Sequence, residues 1–210
     1  MGLFEGKKGL ILGVANDRSI AWAIAETIMA EGGTCGFTHL PDREDDARKK
    51  NRMRVEKCFE KSKTGAKPAF LEPLDVCNDD QIASVVAKAK AEFGQLDFVL
   101  HSIAYADRAD LNDTLDCSRD GFKMAMEISC YSLIAVTKAV QPILSDNAAI
   151  ACMTYFGGEK IVAGYNMMGI SKAALETATR YLAYELGPSC LLYTSPSPRD
   201  ATLSRMPSSA

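Results

Sequence analysis

The chain has 210 residues, of which 47% are hydrophobic and 24% are charged, and its formal net charge is −3. This composition is typical of a globular protein and excludes a largely disordered or collagen-like chain. Without a basic surplus there is no reason to expect a nucleic-acid partner, and no apolar stretch approaches the roughly 18–20 residues that span a membrane. The first residues also lack the apolar core of a signal peptide, so we expect a cytoplasmic protein with no membrane partner.

The seven cysteines and two histidines show no metal-binding pattern. The cysteines form no Cys-x-x-Cys pair and do not cluster with a histidine, and their odd number does not suit a closed disulfide framework. We therefore interpret the cysteines as small buried apolar residues and expect no metal site.

The N-terminal segment is typical of a strand–helix–strand unit. An apolar run at 9–15 ends in small residues, as buried parallel strands do. Ser19 is predicted to cap a helix that buries the face carrying Ile20, Ile24 and Ile28. A pair of glycines ends this helix, and a second strand is predicted at 34–38.

The same alternation continues along the chain. The third strand is predicted to end at 71–76, and the fourth and fifth strands to run over 96–104 and 148–154. Helices are predicted over 79–93, 121–140 and 165–186. Asn78 and Gln81 fit a capping box, and the mixed charges of 42–63 favour a solvated helix. Strands that alternate with helices predict an α/β fold, a doubly wound parallel sheet of the Rossmann-like type.

Ligands of such a sheet bind outside the carboxyl ends of its strands. The first of these ends carries Gly13 as its only glycine, so it lacks the G-x-G-x-x-G pattern and fits an ordinary tight turn equally well. Asp75 follows the third strand, where a carboxylate would accept a hydrogen bond from an adenine amine, and small residues close the fourth strand at 102–104. Together these strand ends predict a dinucleotide groove.

A possible chemical site follows the fifth strand. Tyr155 lies at the end of that strand, and Tyr165 and Lys172 lie on the next helix, about two turns or roughly 10.5 Å apart on one face. A lysine near a phenol would favour electron density on its oxygen, and the phenol would donate a hydrogen bond to a developing oxyanion. Spacing alone fits two amphipathic surface residues equally well.

Taken together, these motifs resemble the bacterial enoyl-acyl-carrier-protein reductases of fatty-acid synthesis, a divergent branch of the short-chain dehydrogenases/reductases. The motifs are Gly-Val-Ala at 13–15, Ser-Ile-Ala at 19–21, Asp-Val at 75–76, His-Ser-Ile-Ala at 101–104, Tyr155, and Tyr-Asn-x-Met-Gly-x-x-Lys-Ala at 165–173. The most specific element is the six-residue gap between Tyr165 and Lys172. Carbonyl reductases of the superfamily have a tyrosine where this chain has Met168.

The resemblance implies a role for each site residue. The implied cofactor-binding residues are Gly13, Ser19, Ile20, Leu40, Asp75, Val76, Ile103 and Lys172. The implied catalytic residues are Tyr155, Tyr165 and Lys172, and Ala106 corresponds to a substrate contact. The implied reaction is hydride transfer from reduced nicotinamide to an enoyl thioester carried by acyl carrier protein, in a homotetrameric enzyme.

The resemblance implies the reaction but leaves the choice between NADH and NADPH open. Leu40 stands where some members carry glutamine, and Asp42 and Arg43 follow it. An acidic residue at this place favours the free 2′-hydroxyl of NADH, whereas an arginine accommodates the 2′-phosphate of NADPH. We expect NADH from the pattern of the family, with NADPH as the alternative cofactor.

The resemblance also divides the chain. Residues 1–188 are interpreted as a partial dinucleotide-binding reductase domain, and 189–210, with six serines and three prolines, as a disordered tail of non-native origin. We therefore expect a sheet that is incomplete at its C-terminal end, with no strand after the fifth, and no activity from this chain alone. The alternatives are another short-chain reductase acting on carbonyls and a catalytically inactive nucleotide-binding fragment.

Overall fold

A computed structural model describes residues 2–62, 64–65, 67–111 and 113–187, and the backbone of 192–194. The strands of this part are β1 (Lys8–Leu12), β2 (Thr34–His39), β3 (Phe70–Pro73), β4 (Leu96–His101), β5 (Leu144–Cys152) and β6 (Leu192–Thr194). Its α-helices are α1 (Ile20–Ala30), α2 (Lys50–Glu60), α3 (Asp79–Phe93), α4 (Arg119–Met126), α5 (Ser132–Val140) and α6 (Asn166–Leu186).

The strands form one parallel sheet in the order β3-β2-β1-β4-β5-β6. The chain starts in the middle of the sheet, winds outwards to β3 and then returns to β4 on the other side of β1. The order therefore reverses between β1 and β4, where a crevice opens at the carboxyl ends of the strands. This topology confirms the predicted doubly wound, Rossmann-like fold.

The sheet differs from the prediction at its C-terminal edge. Leu192–Thr194 pairs in parallel with residues 149–151 of β5, where the sequence predicts no strand. Three positions are too few to show a periodicity, although Tyr193 and Thr194 are residue types that favour strands. The rest of the predicted tail, 188–191 and 195–210, lies outside the described residues.

The two faces of the sheet are covered by different helices. Leu10 and Leu12 pack with residues of α3, α5 and α6 on one face, while Ile11 packs with residues of α1 and α2 on the other. The apolar face predicted for α1 is wrong at its first position, because Ile20 is 62% exposed. The face that α1 buries consists of Ala21, Trp22, Ala25, Ile28 and Met29.

The helix predicted over 121–140 is interrupted. Between α4 and α5, residues Glu127–Tyr131 form a π-helical turn, which inserts extra backbone into the helix. Ser129 in this turn accepts a hydrogen bond from the backbone N–H of Tyr105 and donates one to its carbonyl oxygen, at 2.9 and 3.0 Å. The π turn therefore holds the loop that follows β4.

A buried histidine connects β4 to the same helix. The Nε2 atom of His101 lies 2.8 Å from the hydroxyl of Ser132, which itself donates to the carbonyl oxygen of Ile128 at 2.7 Å. His101 must therefore donate from Nε2, and its Nδ1 is buried without a partner among the described residues. Burial, and then the charge of Lys172, lower the pKa of His101 to about 4.

The predicted capping box of α3 is half confirmed. The side chain of Asn78 accepts a hydrogen bond from the backbone N–H of Gln81 at 3.1 Å. The side chain of Gln81, however, accepts from the backbone N–H of Asp75 at 2.8 Å and not from that of Asn78. Gln81 thus fixes the loop that carries Asp75.

We expect Asn78→Ala to lower the free energy of unfolding by about 1 kcal/mol, because the N–H of Gln81 loses its acceptor. Ser84→Ala changes an exposed position within the same helix and is the matched control. It should alter stability by less than about 0.5 kcal/mol. Urea unfolding followed by circular dichroism measures both, and equal losses for the two variants would contradict the capping role of Asn78.

We expect His101→Gln to weaken the loss of stability in acid. Between about pH 6.5 and 4, unfolded wild-type chains take up a proton on His101 and folded chains do not, so stability falls as the pH drops through this window. The shift corresponds to on the order of 3 kcal/mol at most. Glutamine keeps an N–H near Ser132 and does not titrate.

Urea unfolding of the wild type and of His101→Gln, at about pH 7 and about pH 5, measures the free energy of unfolding of each protein. The difference between the two pH values should be smaller for His101→Gln than for the wild type by on the order of 2 kcal/mol. Parallel pH profiles would show that His101 does not titrate as its burial requires.

Candidate active site

A groove of about 640 Å³ crosses the carboxyl ends of β1 to β4. Its volume is that of a typical small-molecule site, and its position is the switch point of the strand order. The groove brings together five of the predicted cofactor-binding residues, namely Gly13, Leu40, Asp75, Val76 and Ile103.

The floor of the groove is formed by two loops in close contact. Gly13 has a φ of 93°, and a Cβ atom there would overlap the carbonyl oxygen of Ser102. The N–H of Ser102 donates to the carbonyl oxygen of Leu12 at 3.1 Å. Only glycine satisfies both the conformation and the contact, which explains the single glycine of this loop.

Ser19 occupies the N-cap position of α1, as predicted, and also shapes the loop before the helix. Its hydroxyl accepts hydrogen bonds from the backbone N–H groups of Ala15 and Asn16, at 3.0 and 3.1 Å. The side chain of Ser19 therefore bonds to the loop and makes no hydrogen bond to the first turn of the helix. No described side chain caps the first turn of α1, whose N–H groups favour a negative ligand. Neither Ser19 nor the exposed Ile20 lines the groove.

The loop after β3 is held by short-range hydrogen bonds. The backbone N–H of Asp75 is bound by Gln81, and one carboxylate oxygen of Asp75 accepts from the N–H of Cys77 at 3.0 Å. The adjacent Val76 is buried. The groove therefore has a fixed carboxylate beside an apolar wall at this end.

Tyr155 and Tyr165 lie against each other at the end of β5. Their ring centroids are 4.8 Å apart at an interplanar angle of 66°, an edge-on arrangement. A Cβ atom at Gly157 would overlap the ring of Tyr165, so glycine is required beside it. Burial, and then Tyr155, raise the pKa of Tyr165. Its phenol is consequently protonated at neutral pH and able to donate a hydrogen bond.

Tyr165 also lines a second, more open cavity of about 410 Å³. The walls of this cavity are the segment 157–162, the first turns of α6 and Thr114. The site thus has two parts, the groove at the switch point and a cavity beside Tyr165.

Lys172 is buried two turns further along α6, with only 5% of its surface exposed. Its ammonium group donates to the carbonyl oxygen of Met153 at 2.6 Å, just beyond β5. Burial lowers the pKa of Lys172, although Cys152 and Glu176 oppose this effect. The backbone N–H of Met153 in turn donates to the carbonyl oxygen of His101 at 3.0 Å, so the ammonium group lies near the end of β4.

Ala106 is half-buried and does not line the groove, whereas the preceding Tyr105 does. The predicted substrate contact therefore lies just beyond a groove residue that the π turn holds in place. In the part of the chain that the structure describes, the groove also does not include Tyr155, Tyr165 or Lys172.

Several groove residues are missing from the sequence prediction. They are Val14, Ala15, Thr38, His39, Asn51, Arg54, Leu74, Cys77, Tyr105, Met124 and Ile128, whereas the predicted Ser102 and Ala104 do line it. His39 ends β2 and could have been found from its place beside Leu40. Asn51 and Arg54 belong to α2, within a charged segment whose sequence pattern gives no sign of which residues face a ligand.

Over the described ranges, no three His, Cys, Asp or Glu side chains are grouped so that they could hold a metal ion. No helix within those ranges combines the length and the apolar character that a membrane span requires. No disulfide joins the cysteines of the described part, which are Cys35, Cys58, Cys77, Cys117, Cys130 and Cys152.

Residues 13–191 match a family profile described as enoyl-(acyl carrier protein) reductase. The enoyl-acyl-carrier-protein reductase (NADH) of Aquifex aeolicus is 42% identical over 188 residues, which are 89% of this chain and 66% of that protein. The Nostoc enzyme of the same name is 40% identical over 183 residues, or 87% and 68% of the two chains. The chain thus spans about two thirds of the length of these relatives.

Solved structures agree with the sequence comparison. The Aquifex aeolicus enzyme superimposes with a TM-score of 0.83 at 40% identity, covering 92% of this chain and 73% of that one. The Anaplasma phagocytophilum enzyme, solved with NAD, gives 0.83 at 36% identity and covers 92% and 70%. The Bacillus cereus enzyme, solved with NADP+ and indole naphthyridinone, gives 0.84 at 35% identity and covers 93% and 73%. The chain therefore belongs to the enoyl-acyl-carrier-protein reductase family.

Proposed function

We propose that the chain provides the nucleotide-binding and hydride-transfer part of an NADH-dependent enoyl-acyl-carrier-protein reductase. Such an enzyme reduces trans-2-enoyl thioesters on acyl carrier protein during fatty-acid elongation. The proposal depends mainly on the switch-point groove and the nearby group of Tyr155, Tyr165 and Lys172. The names of the relatives specify the same reaction and cofactor.

The groove suits a dinucleotide. Its loop contact at Gly13 lets a ligand approach the backbone closely, and its wall combines apolar side chains with one fixed carboxylate. The residues assigned to the pyrophosphate and ribose side are Gly13, Ser19 and Ile20, those assigned to the adenosine end are Leu40, Asp75 and Val76, and those assigned to the nicotinamide end are Ile103 and Lys172. When bound, NADH supplies the hydride, and the protein supplies orientation and electrostatics.

Tyr165 is assigned the hydrogen bond to the thioester carbonyl oxygen. Hydride addition to the β-carbon leaves negative charge on this oxygen, and a phenol that is protonated at neutral pH is able to stabilise it. Tyr155 packs against the ring of Tyr165 and limits its movement. Ala106 is assigned to the substrate side, after the loop that Ser129 holds.

A carbonyl-reducing short-chain reductase fits less well. Met168, which stands at the tyrosine position of those enzymes, is a buried apolar side chain with 7% of its surface exposed. A thioether at this place cannot donate the proton that a carbonyl requires. The spacing of Tyr165, at the N-cap of α6, and Lys172 within this helix is therefore better explained by enoyl reduction.

The wider assignments form part of the same proposal. Residues 1–188 constitute the reductase domain, acyl carrier protein carries the substrate, and the enzyme is a cytoplasmic homotetramer. Apolar side chains on the outer side of α4, the π turn and α5 support assembly, since Phe122, Tyr131 and Ile134 are 44%, 55% and 36% exposed. Clustered exposed apolar residues are typical of protein interfaces.

We expect Tyr165→Phe to reduce kcat by on the order of 10²–10³-fold while NADH binding is retained, because the lost hydroxyl acts on the developing oxyanion. Lys172→Ala should weaken NADH binding as well, since its assigned partner is the nicotinamide ribose. The exposed Tyr181, also on α6, provides the matched control Tyr181→Phe.

NADH fluorescence measures binding to the chain itself. Oxidation of NADH by a short enoyl thioester measures the rate, in a chimera that continues after Gly187 with the remaining third of the Aquifex aeolicus relative. Small and equal effects of Tyr165→Phe and Lys172→Ala would contradict these roles. A folded chimera that binds NADH without turnover would contradict the proposed reaction.

We expect Tyr131→Asp combined with Ile134→Asp to shift the protein from a tetramer towards smaller species, because buried charge without a partner opposes association. Lys138→Asp, at an exposed polar position of α5, is the control and should leave the mass unchanged. Light scattering after size-exclusion chromatography gives the mass. A wild-type monomer, or a double variant that remains tetrameric, would contradict this interface.

A further inference from the structure

We propose that Glu176 is a positioning residue of the active site. It fixes the segment that carries Tyr155, and it provides a negative charge beside the buried ammonium group of Lys172. This inference rests on the proposed function, since it assumes that Tyr155 and Lys172 serve the reduction of an enoyl thioester. It adds to the site a half-buried carboxylate of α6 that has no part in the sequence prediction.

Glu176 and Lys172 hold two successive residues at the end of β5. They are four positions apart on α6, so they project from the same face of the helix. The ammonium group of Lys172 donates to the carbonyl oxygen of Met153 at 2.6 Å. One turn further along, the carboxylate of Glu176 accepts from the hydroxyl of Thr154 at 2.5 Å, a distance typical of a charge-assisted hydrogen bond. The end of β5 is therefore fixed to α6 at both residues.

Tyr155 follows Thr154 directly, so its position depends on this attachment. The carbonyl oxygen of Tyr155 accepts from the backbone N–H of Gly158 at 2.9 Å, which closes a turn. A Cβ atom at Gly158 would lie 3.2 Å from a carboxylate oxygen of Glu176, so the turn packs against the same carboxylate. Glu176 thus contacts the chain on both sides of Tyr155, whose ring lies edge-on against that of Tyr165.

The second contribution of Glu176 is electrostatic. Burial lowers the pKa of Lys172, and Cys152 and Glu176 oppose this effect. Because thiols ordinarily ionise at about pH 8.5 and carboxyl groups at about pH 4, the opposing charge at neutral pH comes from Glu176. Lys172 also acts on His101 of β4, but burial, and then this lysine, lower the pKa of His101 to about 4, so the imidazole adds no charge at neutral pH. Loss of the Glu176 charge should therefore make Lys172 lose its proton at lower pH.

Two substitutions separate these contributions. Glu176→Gln keeps an oxygen that accepts from Thr154 but removes the charge, whereas Thr154→Val keeps the charge and removes the hydrogen bond. Thr154→Ser retains a hydroxyl and tests for rescue. Glu185→Gln removes an exposed carboxylate from the same helix and is the matched control. Because Thr154 and Glu176 are only half-buried, these variants should melt with the wild type.

Binding of NADH to the chain itself, followed by fluorescence across a range of pH, tests the charge. The affinity of the wild type should fall in alkaline solution as Lys172 loses its proton. Glu176→Gln should move this fall to lower pH by on the order of one pH unit, the effect of a nearby opposite charge. Glu185→Gln and Thr154→Val should keep the wild-type profile. A defect in packing alone would lower the affinity equally at every pH.

The rate of NADH oxidation in the chimera with the Aquifex aeolicus relative tests the position of Tyr155. Thr154→Val should lower kcat by on the order of tenfold while the Kd of NADH is retained, because a small misplacement at the reacting centre costs up to about 10²-fold in rate. Thr154→Ser should recover most of the rate, and Glu185→Gln should not change it.

The outcomes separate this inference from the proposed function. A Glu176→Gln profile that matches the wild type, or wild-type kcat in Thr154→Val, would overturn the inference and leave the proposed function standing. An equal loss of affinity at every pH in Glu176→Gln would also overturn it, because the residue would then act on packing alone. A folded wild-type chain that binds no NADH would overturn both. A shifted profile in Glu176→Gln, together with a lowered rate in Thr154→Val that Thr154→Ser rescues, would support both.

Discussion

The close contact between two strand-end loops determines most of this site. At Gly13, the backbone of the loop after β1 lies directly against the carbonyl group of Ser102 after β4, with no room for a side chain. The two central strands can therefore end side by side, and the crevice between them has a floor made of backbone. The groove extends from this floor over β2 and β3, and the group of Tyr155, Tyr165 and Lys172 lies beyond β5. A side chain at Gly13 would push the two loops apart.

Hydrogen bonds between its own elements hold the part of the site at the ends of β4 and β5. A path of hydrogen bonds runs from Lys172 of α6 to Met153 just after β5, and from there to His101 of β4. It continues to Ser132, which donates to the carbonyl oxygen of Ile128 in the π turn. Ser129 then fixes Tyr105 at the groove. The ammonium group of Lys172 and the neutral imidazole of His101 are compatible because burial keeps the histidine uncharged beside the lysine.

Sequence patterns predicted the fold better than the side of the sheet that each residue faces. The doubly wound sheet follows from the alternation of strands and helices and from the handedness of their crossovers. Ile20, in contrast, has the spacing of a buried face but is exposed, because α1 begins there at the protein surface. Gly13, Asp75 and Ile103 were predicted as groove residues because strand ends are visible in the sequence. Arg54 also lines the groove but was not predicted, because the position of α2 depends on how Asp42 caps it, and no periodicity records a bond between residues ten positions apart.

The π turn between α4 and α5 also restricts how this segment can evolve. Each residue of an α-helix advances the chain by about 100° around the axis, so one residue gained or lost within Glu127–Tyr131 would rotate everything after it by about that angle. The hydroxyl of Ser132 would then turn away from His101, and the outer apolar side chains of α5 would turn towards the sheet. Substitutions are tolerable in this turn if they preserve its polar contacts, but a change in its length would break the histidine link and the outer surface together.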